Sequence, residues 1–138
     1  MASTSTPLQR LARAIAATPT RRWRALLGLL IVVVSCLALS PKPPPSVDFG
    51  WDKLNHMLAF SAMAFCATLG SQTSRGVRVL LLCALLAFGG LIEVLQLFVP
   101  GRSSEWGDLL ADSLGIACGV VIAASALWAV SNLSTRRR

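Results

Sequence analysis

Side chains that could do chemistry concentrate in residues 91–119, where one apolar segment ends in a polar turn and another begins. Glu93 and Gln96 are three residues apart, and Asp108 and Asp112 are four apart. Each pair therefore shares one face of its predicted helix. The turn between the two helices contains Pro-Gly followed by Arg102. Three carboxylates, an amide and a guanidinium are thus expected around one end of the predicted helices.

A second group of polar residues opens an earlier apolar segment and consists of Asp52, Lys53 and His56. With helices that alternate in direction, this group falls at the same end as the first. His56 is the only histidine of the chain. Three helices are therefore expected to bring titratable groups to a similar depth.

Two kinds of chemistry fit these residue types. Carboxylates and imidazole can hold a divalent cation, with Arg102 and Lys53 beside it to bind phosphate or carboxylate. Alternatively, His56, oriented by Asp52 or Asp112, can act as a general base on a lipid-linked substrate. The catalytic candidates are His56, Glu93 and Asp112. The substrate-binding candidates are Asp52, Lys53, Gln96, Arg102 and Asp108. The candidate metal ligands are Glu93, His56, Asp108 and Asp112.

Other sequence signals of catalysis are missing. Ser103 and Ser104 lack a nucleophile-elbow pattern, and the chain has neither an HExxH zinc motif nor a phosphate-binding glycine loop. A purely structural interpretation is therefore a competitor, in which the polar groups satisfy one another and lock the helices together. Gly115 and Gly119 would then mark a close helix–helix contact. Asp48 and Glu105 are interpreted as solvated loop charges.

The composition indicates an all-α integral membrane protein of one domain. Apolar residues make up 54% of 138 residues, and the mean hydropathy is +0.65. The net charge of +7 comes from arginines that flank apolar segments, with no basic surface interleaved with aromatic residues. Such flanks are typical of membrane topology signals and argue against nucleic-acid binding.

Four transmembrane helices are predicted. Residues 1–22 form a basic tail, 23–39 the first span, 40–51 a proline-rich linker, and 131–138 a second basic tail. A three-helix core covers 52–130, with spans at about 52–70, 77–99 and 108–130. The tail 1–22 is expected to be mostly disordered, although Leu8, Leu11 and Ile15 hint at a short amphipathic turn. The first apolar run is shorter than the ~20 residues of a full span, so a cleaved signal peptide competes with the favoured, uncleaved helix.

The distribution of basic residues predicts that both termini are cytoplasmic. Ten of the thirteen arginines and lysines lie on one predicted side, and only Lys42, Lys53 and Arg102 lie on the other. The four tryptophans fall near the ends of the predicted spans, as in an interfacial belt. The lipid bilayer is therefore a predicted partner. The cysteines at 36, 66, 83 and 118 lie inside apolar runs and are interpreted as small buried hydrophobes.

Residues 50–125 resemble the VanZ-like family. The resemblance rests on the order of four motifs: Asp52-Lys53-x-x-His56, Glu93-x-x-Gln96, Pro100-Gly101-Arg102 and Asp108-Leu-Leu-Ala-Asp112-x-x-Gly115. Two positions depart from it, since Asp112 stands where many relatives have Asn and Met57 where an aromatic residue often follows the histidine. The resemblance implies a small multi-span protein of the bacterial inner membrane. The family is named for a member associated with low-level resistance to the glycopeptide teicoplanin.

Three function hypotheses follow. The first is an outward-facing polar pocket that acts in the cell envelope on or with an anionic component, either lipid-linked or glycan. The second is a non-catalytic scaffold or partner subunit of a larger envelope enzyme, with the polar cluster serving helix packing. The third, a small transporter, is disfavoured because the chain lacks an inverted repeat and polar groups in the inner half of its spans.

Overall fold

The computed structural model describes residues 6–41, 51–72, 74–102 and 104–135. Within these ranges every regular element is an α-helix, which confirms the all-helical prediction. The five helices are α1 Pro7–Ala17, α2 Thr20–Ala38, α3 Asp52–Gly70, α4 Arg75–Gln96 and α5 Trp106–Thr135. Asp48, Lys42 and most of the predicted proline-rich linker lie outside the described residues, as do residues 1–5 and the last three arginines.

Helix α3 is the central element of the fold. Its last two thirds carry only two polar side chains, Ser61 and Thr68, a pattern typical of a helix that is mostly buried. Phe60, Met63 and Ala67 of this helix are fully buried. Leu27 of α2 and Leu85 of α4 pack against the same core. Helix α3 makes its most extensive contacts with α5 and also packs against α2 and α4.

Hydrogen bonds at both ends of α2 show that α2 to α5 alternate in direction. Near the start of α2, the Arg24 Nε–H donates to the carbonyl of Gly70 at the end of α3 (2.8 Å). Near the end of α2, Arg102 in the turn before α5 donates from Nη2 to the carbonyl of Leu37 (2.9 Å). We call the end that contains Arg102 and the start of α3 the polar end. We call the opposite end, with Arg24 and the start of α4, the basic end.

Two glycines allow α5 to lie directly against α3. A Cβ atom at Gly115 would collide with the backbone carbonyl of Met57, and one at Gly119 with the carbonyl of Ser61. Small residues spaced four apart let helix backbones approach closely. The predicted contact of Gly115 and Gly119 is therefore confirmed, and the partner helix is α3.

The helix boundaries agree with the predicted spans most closely for α3. Helix α4 begins two residues earlier than predicted because the Ser74 hydroxyl accepts a hydrogen bond from the backbone N–H of Val77 and caps its first turn. It ends three residues earlier, in a turn in which the Val99 N–H donates to the Gln96 carbonyl. Helix α5 runs from Trp106 to Thr135, beyond the predicted end at residue 130.

The N-terminal segment differs from the prediction of a mostly disordered tail. Residues Pro7–Ala17 form helix α1, which packs against α5. Pro7 occupies its first position, where a missing N–H costs no intrahelical hydrogen bond. The apolar spacing of Leu8, Leu11 and Ile15 therefore predicted this segment better than its composition did.

In the part of the chain that the structure describes, two helices are long and apolar enough to cross a membrane by length and composition, namely α4 and the Trp106–Asn132 part of α5. Both expose many large apolar side chains, including Leu80 and Leu91 of α4 and Trp128 of α5. Among the described residues, α2 and α3 do not meet this criterion. Both carry charges in their first turns, the arginines at 21, 22 and 24 in α2 and the polar residues from Asp52 in α3.

The cysteine prediction is right for one residue of four. Cys66 is buried in α3, whereas Cys36, Cys83 and Cys118 lie on exposed faces of their helices. The apolar runs that surround these three residues face outward rather than into the core. All four are free thiols.

The close approach of α5 to α3 predicts the effect of adding one methyl group. Gly119→Ala should lower the free energy of unfolding by about 1–3 kcal/mol, because the added Cβ meets backbone atoms that cannot rotate away. Gly90→Ala in α4 is the matched control, since its Cβ would meet nothing within 4 Å. Thermal unfolding of the purified protein in detergent, followed by helical circular dichroism, compares the two. Equal midpoints would contradict the backbone contact.

Candidate functional site

His56 lies at the centre of the polar end, in the second turn of α3. Its Nδ1 is 2.9 Å from Oδ1 of Asp112, which lies in the second turn of α5. The histidine is 7% exposed and the aspartate is fully buried. With a carboxylate as the acceptor, Nδ1 carries the proton and the ring is fixed in one orientation. Phe60, one turn further along α3, stacks parallel to the imidazole and contributes to this placement.

A second carboxylate faces the other side of the same ring. Glu93, from the last turns of α4, places Oε1 at 3.7 Å from the Nε2 of His56. Its other oxygen, Oε2, accepts a hydrogen bond from the backbone N–H of Glu105 (3.1 Å). The imidazole therefore lies between carboxylates from two different helices, and all three predicted catalytic candidates meet at one place.

Lys53 and Glu105 form the exposed rim of this cluster. The Lys53 ammonium lies 2.6 Å from Oε2 of Glu105 and 3.7 Å from Oδ1 of the buried Asp108. Gly107 leaves room for the lysine stem. The Glu105 side chain is 54% exposed, and its hydrogen bond to Lys53 lowers the pKa of its carboxyl. Glu105 is therefore the exposed loop charge predicted from the sequence, but it is also paired.

Arg102 and Gln96 contact the end of α2. The guanidinium of Arg102 donates to the carbonyls of Leu37 and Ser40, and its Nη1 lies 3.6 Å from Oδ1 of Asp52. The Gln96 amide donates to the Ala38 carbonyl (3.1 Å). The last carbonyls of a helix have no intrahelical donor, so a cation and an amide placed there satisfy them. Nothing in the sequence indicated that these two predicted substrate-binding residues would contact α2.

Several buried oxygens at the polar end have no hydrogen-bond donor among the described residues. They are Oε1 of Glu93, Oε1 of Gln96, Oδ1 of Asp108 and Oδ2 of Asp112. The Oδ2 of Asp112 lies so close to Gly89 of α4 that a Cβ there would collide with it. A buried polar atom without a partner is costly, about 1–3 kcal/mol for a neutral group and more for a charged one. The site is therefore richer in acceptors than in donors.

Among the residues with described side chains, one group meets the geometry of a cation site. Asp52, His56 and Asp108 each offer a ligand atom, and these atoms lie within 4.8 Å of one another. His56 and Asp108 belong to the predicted metal ligands. Asp52 is one of the predicted substrate-binding residues. The other two predicted metal ligands, Glu93 and Asp112, contact the imidazole but do not belong to this group. The sequence signal for Asp52 was its spacing of four residues from His56, which places both on one face of α3.

A family model described as VanZ/LLP1 matches residues 4–128. The chain belongs to the VanZ/LLP1 family. The match begins well before the four motifs that carried the resemblance, so α1, α2 and the linker are part of the family's common region rather than additions to it. No curated protein and no solved structure matches the chain.

The buried pair of His56 and Asp112 yields a prediction for this family member. Asp112→Asn should retain thermal stability, because the amide oxygen still accepts from Nδ1 while the negative charge near Gly89 is removed. Asp112→Ala should lower the free energy of unfolding by about 1–3 kcal/mol, because it leaves the imidazole N–H unpaired. Thermal unfolding in detergent measures both. If Asn destabilised the protein as much as Ala, the charge rather than the hydrogen bond would hold the ring.

Proposed function

We propose that this protein spans the bacterial inner membrane four times, with α2 to α5 as the spans. Both termini and the basic end would lie in the cytoplasm, and the polar end would face outward. The exposed apolar side chains of α2, α4 and α5 support contact with lipid. The arginines near the starts of α2 and α4 support this orientation.

Impermeant thiol labelling tests this topology. In a variant whose four native cysteines are replaced by alanine, Trp106→Cys at the polar end should react with an impermeant maleimide in intact cells. Arg75→Cys at the basic end should react only after the membrane is permeabilised. Both positions are exposed, so a difference reports the side of the membrane rather than burial. The reverse labelling pattern would overturn the orientation.

We further propose that the polar end acts in the cell envelope on or with an anionic component, either lipid-linked or glycan. One observation carries this proposal: a single buried imidazole held between two carboxylates from different helices. Asp112 keeps the proton on Nδ1, so Nε2 is available to accept a proton from a hydroxyl or water. Glu93 faces that nitrogen and would stabilise the imidazolium that forms. Membership of a family linked by name to glycopeptide resistance is consistent with an action in the cell envelope.

A second candidate function is a non-catalytic scaffold or partner subunit of a larger envelope enzyme. The observation that favours it is the pairing of the polar end within the chain itself. Arg102 and Gln96 bind the end of α2, Lys53 binds Glu105, and His56 binds Asp112. In this role the cluster orders the helices, and an outer helix face contacts the enzyme.

Conservative variants separate the two candidates. In a strain whose deletion of this gene changes teicoplanin susceptibility or another envelope property, His56→Gln and Glu93→Gln should fail to complement while their membrane abundance stays within about twofold of wild type. Glu105→Gln is the matched control, because it removes a carboxylate from the same end but from the surface. Glu105→Gln should complement the deletion fully. Quantitative immunoblots of the membrane fraction measure abundance.

Two results would contradict the catalytic candidate. Full complementation by both His56→Gln and Glu93→Gln would show that neither group takes part in a reaction. Failure accompanied by loss of the protein from the membrane, with rescue by conditions that restore its abundance, would indicate the scaffold.

A further inference from the structure

We propose that Asp52, His56 and Asp108 form a site for a divalent cation at the polar end. The three candidate ligand atoms lie within 4.8 Å of one another. Ligands around a cation at bond lengths of ~2.0–2.3 Å are separated by roughly 3 Å when adjacent and 4–4.5 Å when opposite. The three ligand atoms are therefore close to the spacing that one shared ion requires.

The orientation of His56 is that of a metal ligand. Its Nδ1 is held by Asp112 at 2.9 Å, which leaves the lone pair on Nε2 for a cation. A carboxylate that holds the far nitrogen of the ring is the usual support of metal-binding histidines, because it fixes the tautomer and makes the imidazole a better ligand. Asp112 therefore belongs to the site as a positioning residue rather than as a ligand.

An independent observation comes from Asp108. This residue is only 1% exposed, and its Oδ1 has no hydrogen-bond donor. Among the described residues, its ion-pair partner is the Lys53 ammonium at 3.7 Å, which makes a shorter contact with Glu105. This buried oxygen is ion-paired with Lys53, but it has no positive partner within hydrogen-bond distance. A bound cation supplies one directly.

The local charges also favour a cation. Asp52, Asp108, Glu93 and Asp112 converge on His56 from three helices. Among the described residues, Lys53 and Arg102 form ion pairs with these carboxylates, and each also contacts other groups, Glu105 for the lysine and the end of α2 for the arginine. Two carboxylates and an imidazole suit Mn²⁺ or Zn²⁺ better than Ca²⁺, which prefers oxygen ligands alone.

This inference rests on the proposed action on an anionic envelope component and makes it more specific. With the cation bound, Nε2 of His56 is a ligand and no longer a proton acceptor. If the protein acts on an anionic envelope group, its own cations are poorly placed to bind that group, because both already have partners. A divalent cation held on one side by the protein can take a phosphate or carboxylate oxygen on its other side. The substrate class would then be an anion that binds through the metal.

Mn²⁺ binding to the purified full-length protein in detergent tests the site, with free Mn²⁺ measured by electron paramagnetic resonance. The wild type should bind one Mn²⁺, and Asp108→Asn should lose this binding. Asp112→Asn should weaken it about 10–100-fold, as expected for a residue that positions a ligand. Lys53→Gln should tighten it about tenfold, because a competing ammonium beside Asp108 is removed.

Arg75→Gln is the control for Lys53→Gln, since it removes one positive charge from the exposed basic end. Its Mn²⁺ affinity should equal that of the wild type. The proposal is overturned if the wild type binds no Mn²⁺, if Asp108→Asn binds it equally well, or if Lys53→Gln and Arg75→Gln shift the affinity alike. The assay uses neither cells nor a substrate. If the wild type bound Mn²⁺ as expected but the His56→Gln and Glu93→Gln variants complemented fully, the metal site would stand and the proposed envelope activity would be contradicted.

Discussion

The hydrogen bond between His56 and Asp112 is the interaction on which the polar end depends, and it depends in turn on two glycines. The imidazole and the carboxylate project from α3 and α5 near the same level. They meet at 2.9 Å because Gly115 and Gly119 allow the two backbones to pack in direct contact. Gly89 extends this requirement to α4, since any larger residue would displace Asp112. Three glycines, which have no reactive side chain, thus determine how His56 is placed against Asp112.

The guanidinium of Arg102 at the polar end is engaged mainly with backbone carbonyls at the end of α2. Helix α2 ends at Ala38 with carbonyls that have no intrahelical donors. Arg102 and Gln96 satisfy these carbonyls from the far end of α4 and the turn beyond it. This contact attaches α2 to the core formed by α3 to α5. It also leaves the carboxylates around His56 with few close cations.

The sequence predicted the helical class, the limits of α3 and the gathering of polar groups at one end, because hydropathy and spacing encode all three. The close contact of Gly115 and Gly119 with another helix was also predicted from their spacing of four residues. The contacts of Arg102 and Gln96 with α2 could not be predicted, since they join residues more than fifty positions apart through backbone carbonyls that any sequence would supply. Helix α1 was missed because its arginines and small residues resemble those of a disordered tail. The exposed cysteines were misjudged because an apolar run does not reveal which of its faces meets the core and which meets lipid.

The unsatisfied oxygens distinguish a cluster that only packs helices from one that also binds a ligand. A structural network gains most when every buried donor and acceptor is paired, and the α2 contacts of Arg102 follow that rule. The carboxylates around His56 do not, because Glu93, Asp108 and Asp112 each keep one buried oxygen without a donor. Neutral side chains of similar size would pack as well there at lower cost. Three carboxylates that each keep a buried oxygen without a hydrogen-bond donor, around one oriented imidazole, are the pattern that the proposed cation site requires and that helix packing alone does not.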